Sequence, residues 1–122
     1  MVCKAALATL ALLVLWGCSL GGSGPTDTAS PQVVITRPLA GDTVTSQVSI
    51  DVLATDDFGV DKVRFLIDGV LLTELFTAPY HVTWNTALLP NNSDHVIKVE
   101  AIDLAKNTAF RSITVTVVRG PQ

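Results

Sequence analysis

Apolar and polar residues alternate with a period of two along most of the chain from Gln32 onward. This period places successive side chains on opposite faces of an extended strand, whereas a helix repeats about every 3.6 residues. No segment downstream of Gln32 has a convincing helical repeat. The pattern therefore predicts short β-strands, whose alternating apolar positions begin at Val33, Val48, Val63, Leu71, Tyr80, His95 and Ile113.

Turn-forming residues separate these segments at intervals of about 8 to 12 residues. Asp68-Gly69 lies between two apolar segments and strongly predicts a two-residue hairpin turn. The run from Pro38 to Asp42 predicts another turn after the first strand. We expect an all-β fold, an antiparallel β-sandwich of about seven strands.

The amino terminus has a different pattern. A short basic start with Lys4 precedes an apolar run from Ala5 to Trp16, and small polar residues follow it. This order is typical of an export signal. The run has about twelve residues, fewer than the roughly 20 that a membrane-spanning helix needs.

The segment Leu15-Trp16-Gly17-Cys18 resembles the lipobox of bacterial lipoproteins. The resemblance implies that Cys18 receives a diacylglyceryl group and that the signal is cut just before it. Trp16 departs from the motif, which usually has a small residue at that place. The alternatives are a free cysteine in an ordinary cleavable signal, or a cysteine buried in a short helix.

We therefore expect an exported protein that is anchored to the cell envelope by lipid. Ser19 resembles the outer-membrane sorting signal of lipoproteins in bacteria with two membranes. The residues up to Pro31 are mostly Gly, Ser, Thr and Pro, and predict a flexible tether with a reach of about 20 Å. The expected organisation is a signal peptide over 1–17, lipidated Cys18 and linker over 18–31, one domain over 32–119 and a tail over 120–122.

The predicted domain resembles the bacterial Ig-like domains. The matching motifs are Thr36 to Val44, Asp56 to Val60 with Val63 to Gly69, Thr77 to Tyr80 with Trp84 to Thr86, and His95 to Asp103 with Asn107. The resemblance implies an Ig-like sandwich and a module of the kind found in secreted hydrolases, adhesins and surface proteins. Trp84 and Tyr80 are expected to be core residues, His95 to lock a corner, and His81 to face solvent.

The charge pattern and the cysteines exclude several classes of protein. The net charge is -3, and no cluster of Lys and Arg exists that could form a nucleic-acid footprint. The two cysteines are Cys3 and Cys18, so a chain processed before Cys18 has no internal disulfide. Nucleophilic hydrolysis and zinc binding need clusters that His81 and His95, on different strands, do not supply. We expect no catalytic activity and no cofactor besides the covalent lipid.

One metal hypothesis remains open. Asp56 and Asp57 precede one predicted strand, while Asp103 and Asn107 lie in the last hairpin. In an Ig-like topology these loops share one end, where their oxygens could supply part of the 6 to 8 ligands of calcium. The alternative, which we favour, is that each side chain caps its own turn.

The predicted function is that of a binding or adhesion module with a protein or glycan partner. Phe110 and Ile102 are expected to point away from the core, with Leu66 on the same sheet face, and an exposed aromatic with charged neighbours is typical of interface hot spots. Leu75 and Phe76 are further candidates because relatives tend to be polar there. Ordinary β-propensity on a solvated sheet also explains such residues. The other function considered is a structural spacer or an assembly subunit of an envelope complex.

Overall fold

The computed structural model describes residues 29 to 119. The predicted signal peptide, lipidation site Cys18, most of the linker and the tail lie outside the described residues. The described part is a sandwich of two β-sheets, and none of it forms a helix with the length and hydrophobicity of a membrane span. Its strands are β1 (Gln32–Arg37), β2 (Thr43–Val44), β3 (Gln47–Thr55), β4 (Val60–Ile67), β5 (Val70–Leu75), β6 (Tyr80–Asn85), β7 (Ser93–Asp103) and β8 (Thr108–Val117).

One sheet has three strands in the order β1-β3-β6, and the other has five in the order β2-β8-β7-β4-β5. Neighbouring strands are antiparallel except for β2, which pairs parallel with β8 through Thr43 and Val44. The predicted all-β, Ig-like sandwich is confirmed. The short β2 was not predicted, because two residues are too few to show an alternating pattern.

The core lies between the two sheets and consists of the residues at every second position of the strands. Phe65, Ile50 and Ile97 are completely buried, and Trp84 and Tyr80 are buried as predicted. Full burial of a large apolar side chain is worth about 1.5–3 kcal/mol relative to its exposed state. This core is the main source of stability in the described domain.

The predicted hairpin turn joins β4 and β5. Asp68 and Gly69 both have positive φ angles, 53° and 85°. Two such residues form the tight turn whose twist matches that of a hairpin, and Asp-Gly is among the few pairs that adopt it easily. The hairpin at Asp68-Gly69 is therefore confirmed.

The sandwich has two ends that differ in their loops. The N-terminal end contains the start of β1 and the loops 56–59, 76–79 and 104–107, while the C-terminal end contains the end of β8. At the N-terminal end Leu104 N donates a hydrogen bond to Gly59 O at 3.2 Å. The loops that carry Asp56 and Asp103 thus share one end, as expected.

Candidate functional site

The outer surface of the five-stranded sheet, called here the five-strand face, carries a row of side chains across four strands. Arg64 of β4 lies opposite Glu74 of β5 and Glu100 of β7, and Glu100 lies opposite Phe110 of β8. Residues directly opposite one another in a sheet are close enough for their side chains to interact. The register of the strands therefore builds a continuous row that ends in an aromatic ring.

Ion pairs connect the charged members of this row. Arg64 contacts Glu74 at 3.1 Å through Nε and Glu100 at 2.9 Å through Nη1. Lys62 adds a contact to Glu74 at 3.4 Å, and Lys98 adds one to Glu100 at 3.2 Å. An isolated exposed ion pair contributes little, but a network of half-buried pairs holds its side chains in defined positions.

Phe110 is the exposed aromatic residue of the five-strand face, with 55% of its surface accessible. The ammonium nitrogen of Lys98 lies 4.7 Å from the centre of its ring. A cation over an aromatic face is attracted by the ring electrons, by about 0.5–1 kcal/mol at exposed sites. Because Lys98 also pairs with Glu100, the ring is linked to the ion-pair network.

The structure brings together three of the five predicted contact residues. Leu66 lies opposite Lys98, and Ile102 lies opposite Lys62 and Thr108, so both share the five-strand face with Phe110. Leu66 and Ile102 are half-buried. The apolar candidates on this face therefore flank the charged row rather than forming a separate patch.

The other two predicted contact residues lie elsewhere. Leu75 is opposite Val63 and packs against the core, so its assignment to an outer surface was wrong. The cause is a register shift between Phe65 and Leu66, where β5 has one extra residue, and an extra residue moves the following side chains to the opposite face. Phe76 is exposed but follows β5 in the loop at the N-terminal end.

A family model described as a bacterial Ig domain matches residues 31–99. The chain belongs to this family. The match ends within β7, and β8 of the structure completes the five-stranded sheet beyond it. Among curated proteins, none matches the sequence significantly.

Solved structures share the fold of this bacterial Ig domain. The fibronectin(III)-like modules of Clostridium thermocellum CbhA are 25% identical with a TM-score of 0.62, over 74% of this chain and 100% of that chain. The endo-β-1,4-mannanase of Thermotoga petrophila (17% identical, TM-score 0.61) is matched over 77% of this chain and 21% of its own. SGBP-B of Bacteroides ovatus, in complex with a mixed-linkage heptasaccharide, is 17% identical with a TM-score of 0.52, over 76% of this chain and 25% of its own. The chain thus corresponds to about a quarter or less of the last two proteins.

His95 of the bacterial Ig domain connects the hairpin turn to β7. Its Nδ1 lies 2.6 Å from Asp68 Oδ2, and its Nε2 lies 2.8 Å from Ser93 Oγ. Val96 N donates to Asp68 Oδ1 at 2.9 Å, and the His95 ring packs edge-on against Trp84 with 5.8 Å between the centroids. These contacts confirm the predicted corner-locking histidine.

Asp68, His95 and Ser93 are linked in the same order as the acid, base and nucleophile of a serine hydrolase. Their other hydrogen bonds, however, give them a structural role. Ser93 Oγ donates its hydrogen to Pro90 O at 2.6 Å, so the serine is held as a loop contact. The side chain of His95 is only 12% exposed. Burial acts to raise the pKa of Asp68, but hydrogen bonds from His95 and Val96 outweigh it and lower that pKa below its ordinary value. The three residues form a structural clasp.

His81 lies on the outer surface of the three-stranded sheet, as expected, but it is not merely solvated. Its Nδ1 contacts Asp51 Oδ1, and Arg37 Nε donates to Asp51 Oδ2 at 2.6 Å. The hydrogen bond from His81 is the largest effect on Asp51 and, with Arg37, lowers the pKa of this carboxyl. No local pattern predicts this cluster, because its members come from three different strands, β1, β3 and β6.

Two of the three carboxylates considered for calcium, Asp56 and Asp103, act as turn caps in the structure. Phe58 N donates to Asp56 Oδ2 at 3.0 Å, and the backbone N and the amide Nδ2 of Asn107 donate to the two carboxylate oxygens of Asp103 at 2.8 and 3.0 Å. Asp57 is exposed. Within residues 29–119, no three His, Cys, Asp or Glu side chains are arranged to hold a metal ion.

Proposed function

We propose that this chain is a non-catalytic binding module, displayed at the bacterial cell envelope by a lipid on Cys18, that contacts a protein or glycan through the five-strand face. The observation that carries the proposal is Phe110, an exposed ring held beside Lys98 at the end of a charged row. The likeness to the CbhA fibronectin(III)-like modules supports an accessory role, because that likeness covers the whole of the compared module.

The shape of the five-strand face favours a macromolecular partner. Small-molecule sites are concave and enclose most of their ligand. A sheet surface on which a row of alternating charges ends in an exposed aromatic residue resembles the surface of a protein–protein interface, where a few aromatic and arginine side chains provide most of the binding energy. The flat face of Phe110 could equally stack on a sugar ring.

Anchoring through Cys18 has support from the motif that ends at this residue and from the composition that follows it. Two or more acyl chains give stable membrane attachment, whereas one chain gives only marginal binding. Changing Cys18→Ser should release the protein from the membrane fraction or leave its signal uncleaved. An unchanged membrane distribution together with an unchanged amino-terminal mass would contradict the anchor.

The binding face can be tested by site-specific photocrosslinking in the native envelope. A photoreactive residue at Ser112, next to Phe110 on β8, should capture a partner, and Phe110→Ser should abolish this capture without lowering the melting temperature. The same probe at Thr83, which is exposed on the three-stranded sheet, is the matched control. Equal capture from Thr83, or capture that persists in both Phe110→Ser and Ile102→Ser, would overturn the assignment and favour the spacer function.

A further inference from the structure

Each of the three loops at the N-terminal end of the sandwich carries one exposed large apolar residue. They are Phe58 in the β3–β4 loop, Phe76 in the β5–β6 loop and Leu104 in the β7–β8 loop, with exposed fractions of 46%, 60% and 60%. A single exposed apolar residue is ordinary. One on every loop gives this end three exposed apolar side chains that a single surface could contact together.

Two of these loops are held rigidly against each other. Leu104 N donates to Gly59 O at 3.2 Å, and the Leu104 side chain lies over Gly59, where an added Cβ would be 3.3 Å from Leu104 Cδ1. Phe58 N is fixed by Asp56 Oδ2 at 3.0 Å. The backbones at Phe58 and Leu104 are therefore already ordered. Contact with another surface would cost them little conformational entropy.

The tether enters the domain at this same end. Gln32, the first residue of β1, lies opposite Thr55, the last residue of β3. The composition of the linker predicts a reach of about 20 Å from Cys18. The C-terminal end is farther away by the length of β3, whose nine residues span roughly 30 Å.

We propose that the N-terminal end rests on the lipid bilayer, with Phe58, Phe76 and Leu104 at the boundary between headgroups and acyl chains. This inference rests on the proposed lipid anchor, which keeps the loops at high local concentration near the bilayer so that weak apolar contacts suffice. The C-terminal end also has exposed apolar residues, among them Leu39 and Leu88, but the tether selects the nearer end.

Charge at the N-terminal end determines which lipids fit. Asp57 and Asp61 lie there with Lys62 and Lys106, and Lys106 pairs with Asp61 at 3.4 Å. Basic side chains therefore do not dominate, and a surface of this kind gains nothing from anionic lipids. The expected contact is apolar, with zwitterionic phospholipids. In this orientation the five-strand face is roughly perpendicular to the membrane plane and remains accessible to partners.

The test uses the full lipidated chain, purified and reconstituted in phosphatidylcholine vesicles that contain nitroxide-labelled lipid. A fluorophore on Thr77→Cys reports the N-terminal end, and one on Ala40→Cys reports the C-terminal end. We expect quenching at position 77 but not at position 40. The triple change Phe58→Ser, Phe76→Ser and Leu104→Ser should abolish this quenching, and Phe76→Ser alone should reduce it. Leu88→Ser at the other end is the control and should leave the quenching unchanged.

The outcomes separate this inference from the anchor. A purified chain whose mass includes no acyl groups overturns both. An acylated chain whose position-77 fluorophore is unquenched, or is quenched equally in the triple variant with a normal melting temperature, overturns the membrane contact and leaves the anchor intact. Quenching that appears only with phosphatidylglycerol would show an electrostatic contact and also contradict the inference.

Discussion

His95 and His81 each contact an aspartate through Nδ1, yet their surroundings differ. His95 is 12% exposed, packs on Trp84 and reaches Asp68 across the hairpin turn, whereas the side chain of His81 is 49% exposed and shares Asp51 with Arg37 on an open sheet surface. The chemistry of the two pairs is the same. The difference lies in the histidines: His95 is buried against Trp84 and His81 is open to water, whereas Asp68 is 48% exposed and Asp51 only 24%.

Burial of the imidazole determines what each pair contributes. A hydrogen bond to a buried group is costly to lose, because its partner is left without water, while an exposed pair can exchange its partner for solvent. We therefore expect the Asp68-His95 clasp to stabilise the fold and the Asp51-His81 cluster to contribute little.

Trp84 supports the buried clasp and fills the core, so removing it should have the largest effect. Trp84→Ala is expected to cost about 3–5 kcal/mol, a large part of the stability of a small domain. The measurement is chemical denaturation of the variant and the parent. Trp84→Phe, which keeps an aromatic ring beside His95, should cost clearly less. Equal stability of Trp84→Ala and the parent would contradict the packing described for the core.

Removing each histidine compares the two pairs directly. His95→Ala should cost about 1–3 kcal/mol, because Asp68 and Ser93 lose a partner at a half-buried site. His81→Ala is the matched control and should cost no more than about 1 kcal/mol. Thermal and denaturant unfolding of both variants at neutral pH measure the difference. A larger effect from His81→Ala would reverse the ranking of the two clusters.

Acid should weaken the clasp. Because the folded pKa of Asp68 is lowered, its contribution is fully present above the unfolded pKa of about 3.9 and is lost as the pH falls through the lower, folded value. Asp68→Asn should reduce stability at neutral pH and make the decline below about pH 5 less steep. Asparagine is well suited to the turn, since it accepts positive φ as readily as aspartate. An acid profile unchanged by Asp68→Asn would show that the clasp does not respond to protonation.

The sequence predicted those parts of the fold that depend on local pattern. The inward positions of Trp84 and Tyr80 and the hairpin at Asp68-Gly69 each follow from residues next to one another in the chain. The facing of Leu75 did not follow, because the extra residue in β5 reverses the alternation without a local signal.

The candidate site depended on the pairing of distant strands, which a single sequence does not specify. Phe110, Ile102 and Leu66 were correctly assigned to one face by alternation alone. The ion pairs around them require the register of β5, β4 and β7, and the contact of His81 with Asp51 joins residues 30 positions apart. Side chains that alternation marks simply as outward-facing can therefore be members of a network.

The smallest effect is expected at the exposed cluster. Asp51→Asn should lower stability by at most about 1 kcal/mol, because Arg37 and His81 can both return to water when the carboxylate is neutralised. The remaining difference is electrostatic, so it should shrink in about 1 M salt, where the screening length is about 3 Å. Denaturant unfolding of the parent and Asp51→Asn at low and high salt measures this change. Asp68→Asn is the control, and its loss should depend less on salt because its partner His95 is buried. The contradicting result is a loss of stability at Asp51 that matches the loss at Asp68 and persists in high salt. It would mean that the pair at His81 is as well shielded from solvent as the clasp on Trp84, so the contrast between the two histidines would not hold.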